Sequence, residues 1–225
     1  MFPLRVVVWN VHGFRAGVHP VTEAIAQLAP DLVLLNEARF RWRVHRAARN
    51  LGMRSHLGLV RGGAVPNAIL VRPPWRFVES WVAPLSPTAG LKRRGVVAAR
   101  IGRAGQRVMV VCTHLGVSDG ERVRHAGEVT DMLAGAPAPL LLGGDFNEGP
   151  DGPASSWIAG RYWDAFARAG SGSGETFPAR RPRARIDYLF VTEDVTLGTV
   201  RVGDAPQMVD ASDHRPLIAD VEVGS

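Results

Sequence analysis

Six short apolar runs, each carrying Asn, Asp, Glu or His at one end, constrain this chain more than any other feature. Residues 4–9 (Leu-Arg-Val-Val-Val-Trp) lead to Asn10 and His12, residues 31–35 (Asp-Leu-Val-Leu-Leu) to Asn36 and Glu37, and residues 106–112 to Thr113 and His114. Residues 139–142 lead through Gly143 and Gly144 to Asp145 and Asn147, residues 186–191 contain Asp187, and residues 216–223 follow Asp213 and His214. Their β-branched and aromatic content reads as strand. The two glycines are expected to let the backbone turn tightly and leave Asp145 at a strand mouth. Each polar group alone also fits a surface residue or strand cap, and Asp145-x-Asn147 before Gly149 and Pro150 also fits ordinary turn chemistry. Together they predict one cleft built from several strand edges.

The residue types in that cleft suit metal-assisted phosphate hydrolysis. A phosphodiester resists attack because its oxygens are negative, so its hydrolysis needs positive charge, a positioned water and help for the leaving group. Carboxylates supply hard ligands or take a proton from water. Two other catalytic classes lack their residues: the chain has no phosphate-loop pattern and no Cys/His group at zinc-ligand spacing. Cys112 lies two positions from His114 on one strand face, yet nothing near it suggests an activated thiol, so it reads as structural.

The stretches WNVHG (9–13), LLNEA (34–38), THLG (113–116), GGDFNEGP (143–150), RIDYLFV (185–191) and SDHRPL (212–217) resemble, in order, the motifs of the endonuclease/exonuclease/phosphatase superfamily. That superfamily includes deoxyribonucleases, abasic-site endonucleases, neutral sphingomyelinases and inositol polyphosphate phosphatases. The resemblance runs from residue 5 to about residue 222 and implies an α/β fold, a four-layer sandwich in which two mixed, mainly antiparallel sheets pack face to face with helices outside each. It further implies Mg²⁺, with Mn²⁺ as a substitute, held by Asn10, Glu37 and Asp213. Asp145 and Asn147 would orient the attacking water or the phosphoryl group. His214, oriented by Asp187, would act as base or as phosphate-stabilising cation. His114 would face the leaving oxygen, although a lone His after a strand also fits a core hydrogen bond. Arg94 stands where relatives carry a phosphate-contacting arginine, and His12 is a possible outer-shell group. His19, His45, His56 and His125 match no motif and read as structural. A His in place of the tyrosine usual in abasic-site endonucleases, and the compact length, point away from abasic-site repair.

The chain, at 225 residues, suits one domain over 1–225 with a single core. No apolar run approaches the ~20 residues that cross a bilayer, and residues 1–9 lack a signal-peptide pattern. A single cysteine forms no internal disulfide, so a cytoplasmic monomer is expected. The net charge is +6, and 26 of the 27 basic residues are arginine, a bias that a GC-rich genome explains as readily as selection for an anionic ligand. Over 40–51, Val44, Ala47, Ala48 and Leu51 recur at helical spacing, placing Arg39, Arg43 and Arg46 opposite them as either a solvated face or a phosphate-contacting rim. Ser118 and Glu121 form a capping-box pattern for a helix over about 119–134, burying Val123, Val129, Met132 and Leu133. Residues 170–185 read as an exposed loop bringing Arg180, Arg181, Arg183 and Arg185 near Asp187, as a substrate clamp or as a solvated excursion. Three functions follow: a nuclease acting on nucleic acid, a hydrolase of a phospholipid headgroup or small phosphoester, and a noncatalytic module that would have lost at least one ligand.

Overall fold

Strands buried on both faces read as nearly continuous apolar runs, and the central strands of the two sheets here meet that description. The computed structural model describes residues 1–60 and 63–224. In chain order the elements are β1 Phe2–Asn10, α1 Val18–Leu28, β2 Leu32–Asn36, α2 Arg41–Asn50, β3 Arg54–Val60, β4 Gly63–Val71, β5 Arg76–Pro84, β6 Gly95–Arg103 and β7 Gln106–His114. There follow α3 Asp119–Met132, β8 Leu140–Asp145, α4 Pro153–Ala159, β9 Trp163–Asp164, α5 Ala165–Ala169, β10 Gly170–Ser171, β11 Asp187–Val191, β12 Thr196–Val202, α6 Pro206–Ala211 and β13 Leu217–Val223. One sheet has the order β10-β12-β13-β1-β2-β4-β3 and the other β5-β6-β7-β8-β11-β9.

Side-chain alternation divides each strand between two cores. Leu4, Val6 and Val8 of β1 pack inward with Leu32 and Leu34 against Val108, Val110 and Cys112 of β7 and Leu189 and Val191 of β11. Val7 and Trp9 point the other way, onto Val21, Ile25 and Leu28 of α1 and Val44 and Ala47 of α2. On the far side, Val111, Leu142 and Phe190 meet Ala126 and Val129 of α3 and Ala154 and Ile158 of α4. The result is the expected four-layer α/β sandwich, helix on sheet on sheet on helix. No helix among the described residues is long and apolar enough to cross a membrane.

Four local expectations need correction. Gly143 and Gly144 do not form a turn; they lie inside β8. Their smallness serves close approach: a Cβ at Gly143 would lie 2.7 Å from Leu34 Cδ1 across the sandwich, and one at Gly144 would strike the Thr113 carbonyl. In α3, Val123 and Met132 are exposed, because the buried stripe runs through Arg122, His125, Ala126 and Val129, one residue out of phase with Val123. The capping box itself does not form: Ser118 makes no side-chain cap, and Glu121 Oε2 accepts from the Val117 amide, one residue before the N-cap. Residues 170–185 are also no solvated excursion: Thr176 and Ala179 are buried, and Phe177 pairs with Ala184 in an isolated bridge.

Candidate active site

Strand register builds the site. In the second sheet, His114 of β7 stands beside Asp145 of β8 in parallel pairing, and Asp145 stands opposite Asp187 of β11 in antiparallel pairing. In the first sheet, Asn10 of β1 is level with Asn36 of β2, which is level with Asn67 of β4. Asn36 stitches the two edges together: its Oδ1 accepts from the Asp145 amide at 2.8 Å, and its Nδ2 donates to the Thr113 carbonyl at 2.8 Å and to Asn67 Oδ1 at 3.0 Å. Polar groups this deeply buried keep one arrangement because every alternative leaves a donor or acceptor unmade.

A cleft of about 260 Å³ opens at this edge, lined by Asn10, Glu37, Arg39, Arg94, His114, Asp145, Asn147, Asp213 and His214 together with His12, Arg15, Lys92, Val117 and Phe177. Asp187 lies directly behind it. Its Oδ2 is 2.8 Å from His214 Nδ1, leaving Nε2 of that ring 3.7 Å from Asp145 Oδ2. Asp145 Oδ2 also accepts from Asn10 Nδ2 at 2.9 Å and lies 3.3 Å from His114 Nε2. Asn147 Nδ2 donates to the Leu115 carbonyl at 3.1 Å and approaches His114 Nε2 at 3.0 Å. His12 Nδ1 is 3.4 Å from Asp213 Oδ1. Glu37, Asn147 and His12 adopt φ of 50°, 52° and 46°, a left-handed backbone that costs side-chain-bearing residues on the order of 1–3 kcal/mol each and gathers at functional sites.

The two histidines differ in charge. Burial, the dominant influence, lowers the His114 pKa to about 3 against the pull of Asp145, so its ring is neutral. Burial also opposes a charge on His214, but the adjacent and hydrogen-bonded Asp187 carboxylate, with Asp145 and Asp213, raises its pKa to about 9. Its ring is therefore an imidazolium at neutral pH. Arg94 is buried, and desolvation lowers its pKa despite Asp145 and Glu37. Burial pushes the Cys112 thiol up, as expected for a structural cysteine.

Oxygen donors for a hard cation come from Glu37, Asn10, Asp213 and Asp145, all on the cleft. Glu37 is flanked by Arg39 at 3.2 Å and Lys92 at 3.8 Å, partners that a cation would replace. The buried group Asp145, Asp187 and His214, with ligand atoms within 4.8 Å of one another, can also hold a metal. There, however, Asp187 Oδ2 and His214 Nδ1 already satisfy each other, and the Asp187 Oδ1 atom is left buried without a partner. The rim donors fit a divalent ion better, since a cation among them would displace no hydrogen-bonded dyad.

Of the residues singled out for substrate contact, Arg39 and Arg94 line the cleft, whereas Arg43, Arg46, Arg180, Arg181, Arg183 and Arg185 do not; Arg185 has other partners. Its guanidinium pairs with Asp164 at 2.7 Å and packs 4.6 Å above the Tyr188 ring. Asn36 and Asn67, the struts beneath Asp145, and Lys92, Arg15 and Phe177 on the cleft carry no sequence role of their own; only the Asn preceding Glu37 at a strand end gave a signal. Phe177 packs against His214, ring centroids 4.8 Å apart and planes tilted by 44°.

A family model described as "Endonuclease/Exonuclease/phosphatase family" matches residues 7–214. A curated Escherichia coli K12 relative, the uncharacterized protein YbhP, is 25% identical and is aligned over 99% of this chain and 97% of its own length. Among solved structures, an endonuclease/exonuclease/phosphatase from Bacteroides vulgatus superposes with a TM-score of 0.85 at 19% identity, covering 100% of both chains. The mannosyl-6-phosphatase Bt3783 of Bacteroides thetaiotaomicron gives 0.82 at 19% identity over 97% of this chain and 99% of that one. D. rerio TDP2, complexed with a single strand DNA product, gives 0.82 at 20% identity over 99% and 100%.

Proposed function

Because this chain belongs to the endonuclease/exonuclease/phosphatase family, whose members generally hydrolyse phosphoester bonds, we propose that it is a divalent-metal-dependent phosphodiesterase acting on nucleic acid. The observation that carries this reading is the buried Asp187–His214 pair aimed at Asp145 in a cleft ringed by Arg39, Lys92 and Arg94. A substrate phosphate entering there meets cations on one side and a proton acceptor on the other.

Asp145, held by Asn10 and by the Asn147 amide, takes the proton of the attacking water. His214 enters as an imidazolium fixed through Nδ1, and its Nε2–H stabilises a nonbridging oxygen or is delivered to the leaving oxygen. His114 is neutral and brings no positive charge to the phosphate; with Asp145 Oδ2 3.3 Å from its Nε2, the tautomer protonated at Nε2 can donate to that carboxylate or to a phosphate oxygen. Arg94 supplies a fixed charge at the cleft floor. Glu37, Asn10 and Asp213 would hold Mg²⁺ or Mn²⁺, which when bound polarises phosphoryl oxygens and stabilises negative charge on the leaving group.

A small phosphoester is the second reading, favoured by the modest size of the cleft and by the sugar phosphatase among the structural relatives. The noncatalytic reading predicts a missing ligand, and none of the expected side chains is absent from the sequence. A purified-protein screen with Mg²⁺ or Mn²⁺ over plasmid, single-stranded oligonucleotide, sphingomyelin and generic phosphoesters tests the choice, with His214→Ala as background. Cleavage of only lipid or small esters would displace the nucleic-acid reading.

A further inference from the structure

Beside the catalytic cleft, and sharing Arg39 and Lys92 with it, lies a larger groove of about 530 Å³. Its floor is apolar, built from Ala38, Leu57, Val65 and Pro66, and every charged residue lining it is basic. At its mouth Phe40 is 60% exposed, held at φ 64° where a bulky side chain is strained, with the Arg43 guanidinium 4.9 Å from its ring. Glu37 of the catalytic cleft faces Arg39 and Lys92, so among the described residues the rim keeps an excess of positive charge, and an exposed aromatic over an apolar floor with such a rim complements a ligand with a flat apolar part and negative charges on either side. Nucleobases joined by phosphates have that pattern. A base in a duplex is already stacked, whereas an unpaired base has its faces free, so a groove of this kind suits single strands.

We propose that this groove is a subsite for an unpaired base next to the scissile phosphate, stacked on Phe40, with the neighbouring phosphate on the Arg41 side. The proposal deepens the nucleic-acid reading above and rests on it for the position of the scissile bond. It commits to nucleic acid, because an acyl chain would use the floor but bring no negative charge to the basic rim.

Fluorescence anisotropy of a labelled eight-nucleotide oligothymidylate tests this with the full-length protein in EDTA, where no cleavage intervenes. Wild type, Phe40→Ala, Phe40→Trp and Trp157→Ala are compared, the last removing an exposed aromatic on α4, and thermal melts establish that each is folded. Phe40→Ala is expected to weaken single-strand binding by on the order of tenfold, with Phe40→Trp close to wild type and Trp157→Ala unchanged. A matching duplex is expected to bind wild type and Phe40→Ala alike. Equal single-strand affinity for wild type and Phe40→Ala, or an equal loss in Trp157→Ala, overturns the subsite. So does Phe40-dependent binding of sphingomyelin vesicles alongside Phe40-independent oligonucleotide binding, which would assign the groove to lipid. Hydrolysis of oligonucleotides with Phe40-independent binding removes the subsite alone; Phe40-dependent binding by a protein inert towards every phosphoester removes the catalytic reading alone.

Discussion

His114 and His214 approach the same Asp145 oxygen, yet their surroundings drive them in opposite directions, one to a pKa of about 3 and the other to about 9. Unfolded, both titrate near ~6.5. The His214 pKa is raised, so its stabilising contribution is complete below about 6.5 and is lost as pH rises through about 9. The His114 pKa is depressed, so its contribution is complete above about 6.5 and is lost as pH falls towards about 3. Urea midpoints measured across pH in metal-free buffer should therefore lose their alkaline slope in His214→Asn and their acidic slope in His114→Asn; unchanged slopes would refute the assigned charges. Asn36 carries a different prediction. Removing its amide leaves the Asp145 N–H and the Thr113 carbonyl unmade, so Asn36→Ala should cost about 1–3 kcal/mol per group stranded and lower turnover through a displaced Asp145. A turnover loss without a change in urea midpoint would contradict that account.

Element by element, what was legible in the chain was what register and burial make redundant. Asn10, Glu37, His114, Asp145, Asp187 and His214 sit at or beside ends of β1, β2, β7, β8, β11 and β13, and the apolar runs before or after them are buried on both faces, which is why they stand out. Strands β3 and β5 were not legible, because β5 is largely exposed and its sequence, Arg76–Pro84, mixes charge with apolar residues. The role of Asn36 was hidden too, since an interior asparagine is distinguished from a turn asparagine only by its partners. Residues 170–185 misled for a related reason: Gly, Pro and Arg suggest solvent, but Thr176 Oγ1 accepts from the Ile186 and Asp187 amides and anchors the segment beneath the dyad. Arg185 belongs to that anchoring. Arg185→Ala breaks a buried pair with Asp164 and should cost about 3–5 kcal/mol of stability with KM for oligonucleotide unchanged. A raised KM at unchanged stability would return Arg185 to substrate contact. The loop after β8 is fixed similarly: Glu148 accepts from the Ala154 and Ser155 amides and from Arg122 Nε, holding Asn147 against His114.

For the molecule as a whole, two sheets with helices outside leave one edge free, and there the ends of strands from both sheets gather into a single cleft. Arg15, Arg39, Lys92 and Arg94 surround it, so affinity for an oligonucleotide should fall as salt rises, with a negative slope of log affinity against log salt set by the phosphates neutralised. A flat slope would mean that phosphates do not dock on this rim. On the proposed function, residues distant in sequence meet around a divalent ion to split a P–O bond. The most direct test of that reading is the steady-state hydrolysis of a single-stranded oligonucleotide by wild type, Glu37→Gln and His214→Ala, each with Mg²⁺ and with EDTA. The predicted result is Mg²⁺-dependent turnover that EDTA abolishes and that each substitution lowers by ~10² or more. Turnover indifferent to EDTA, or unchanged in both variants, would contradict it.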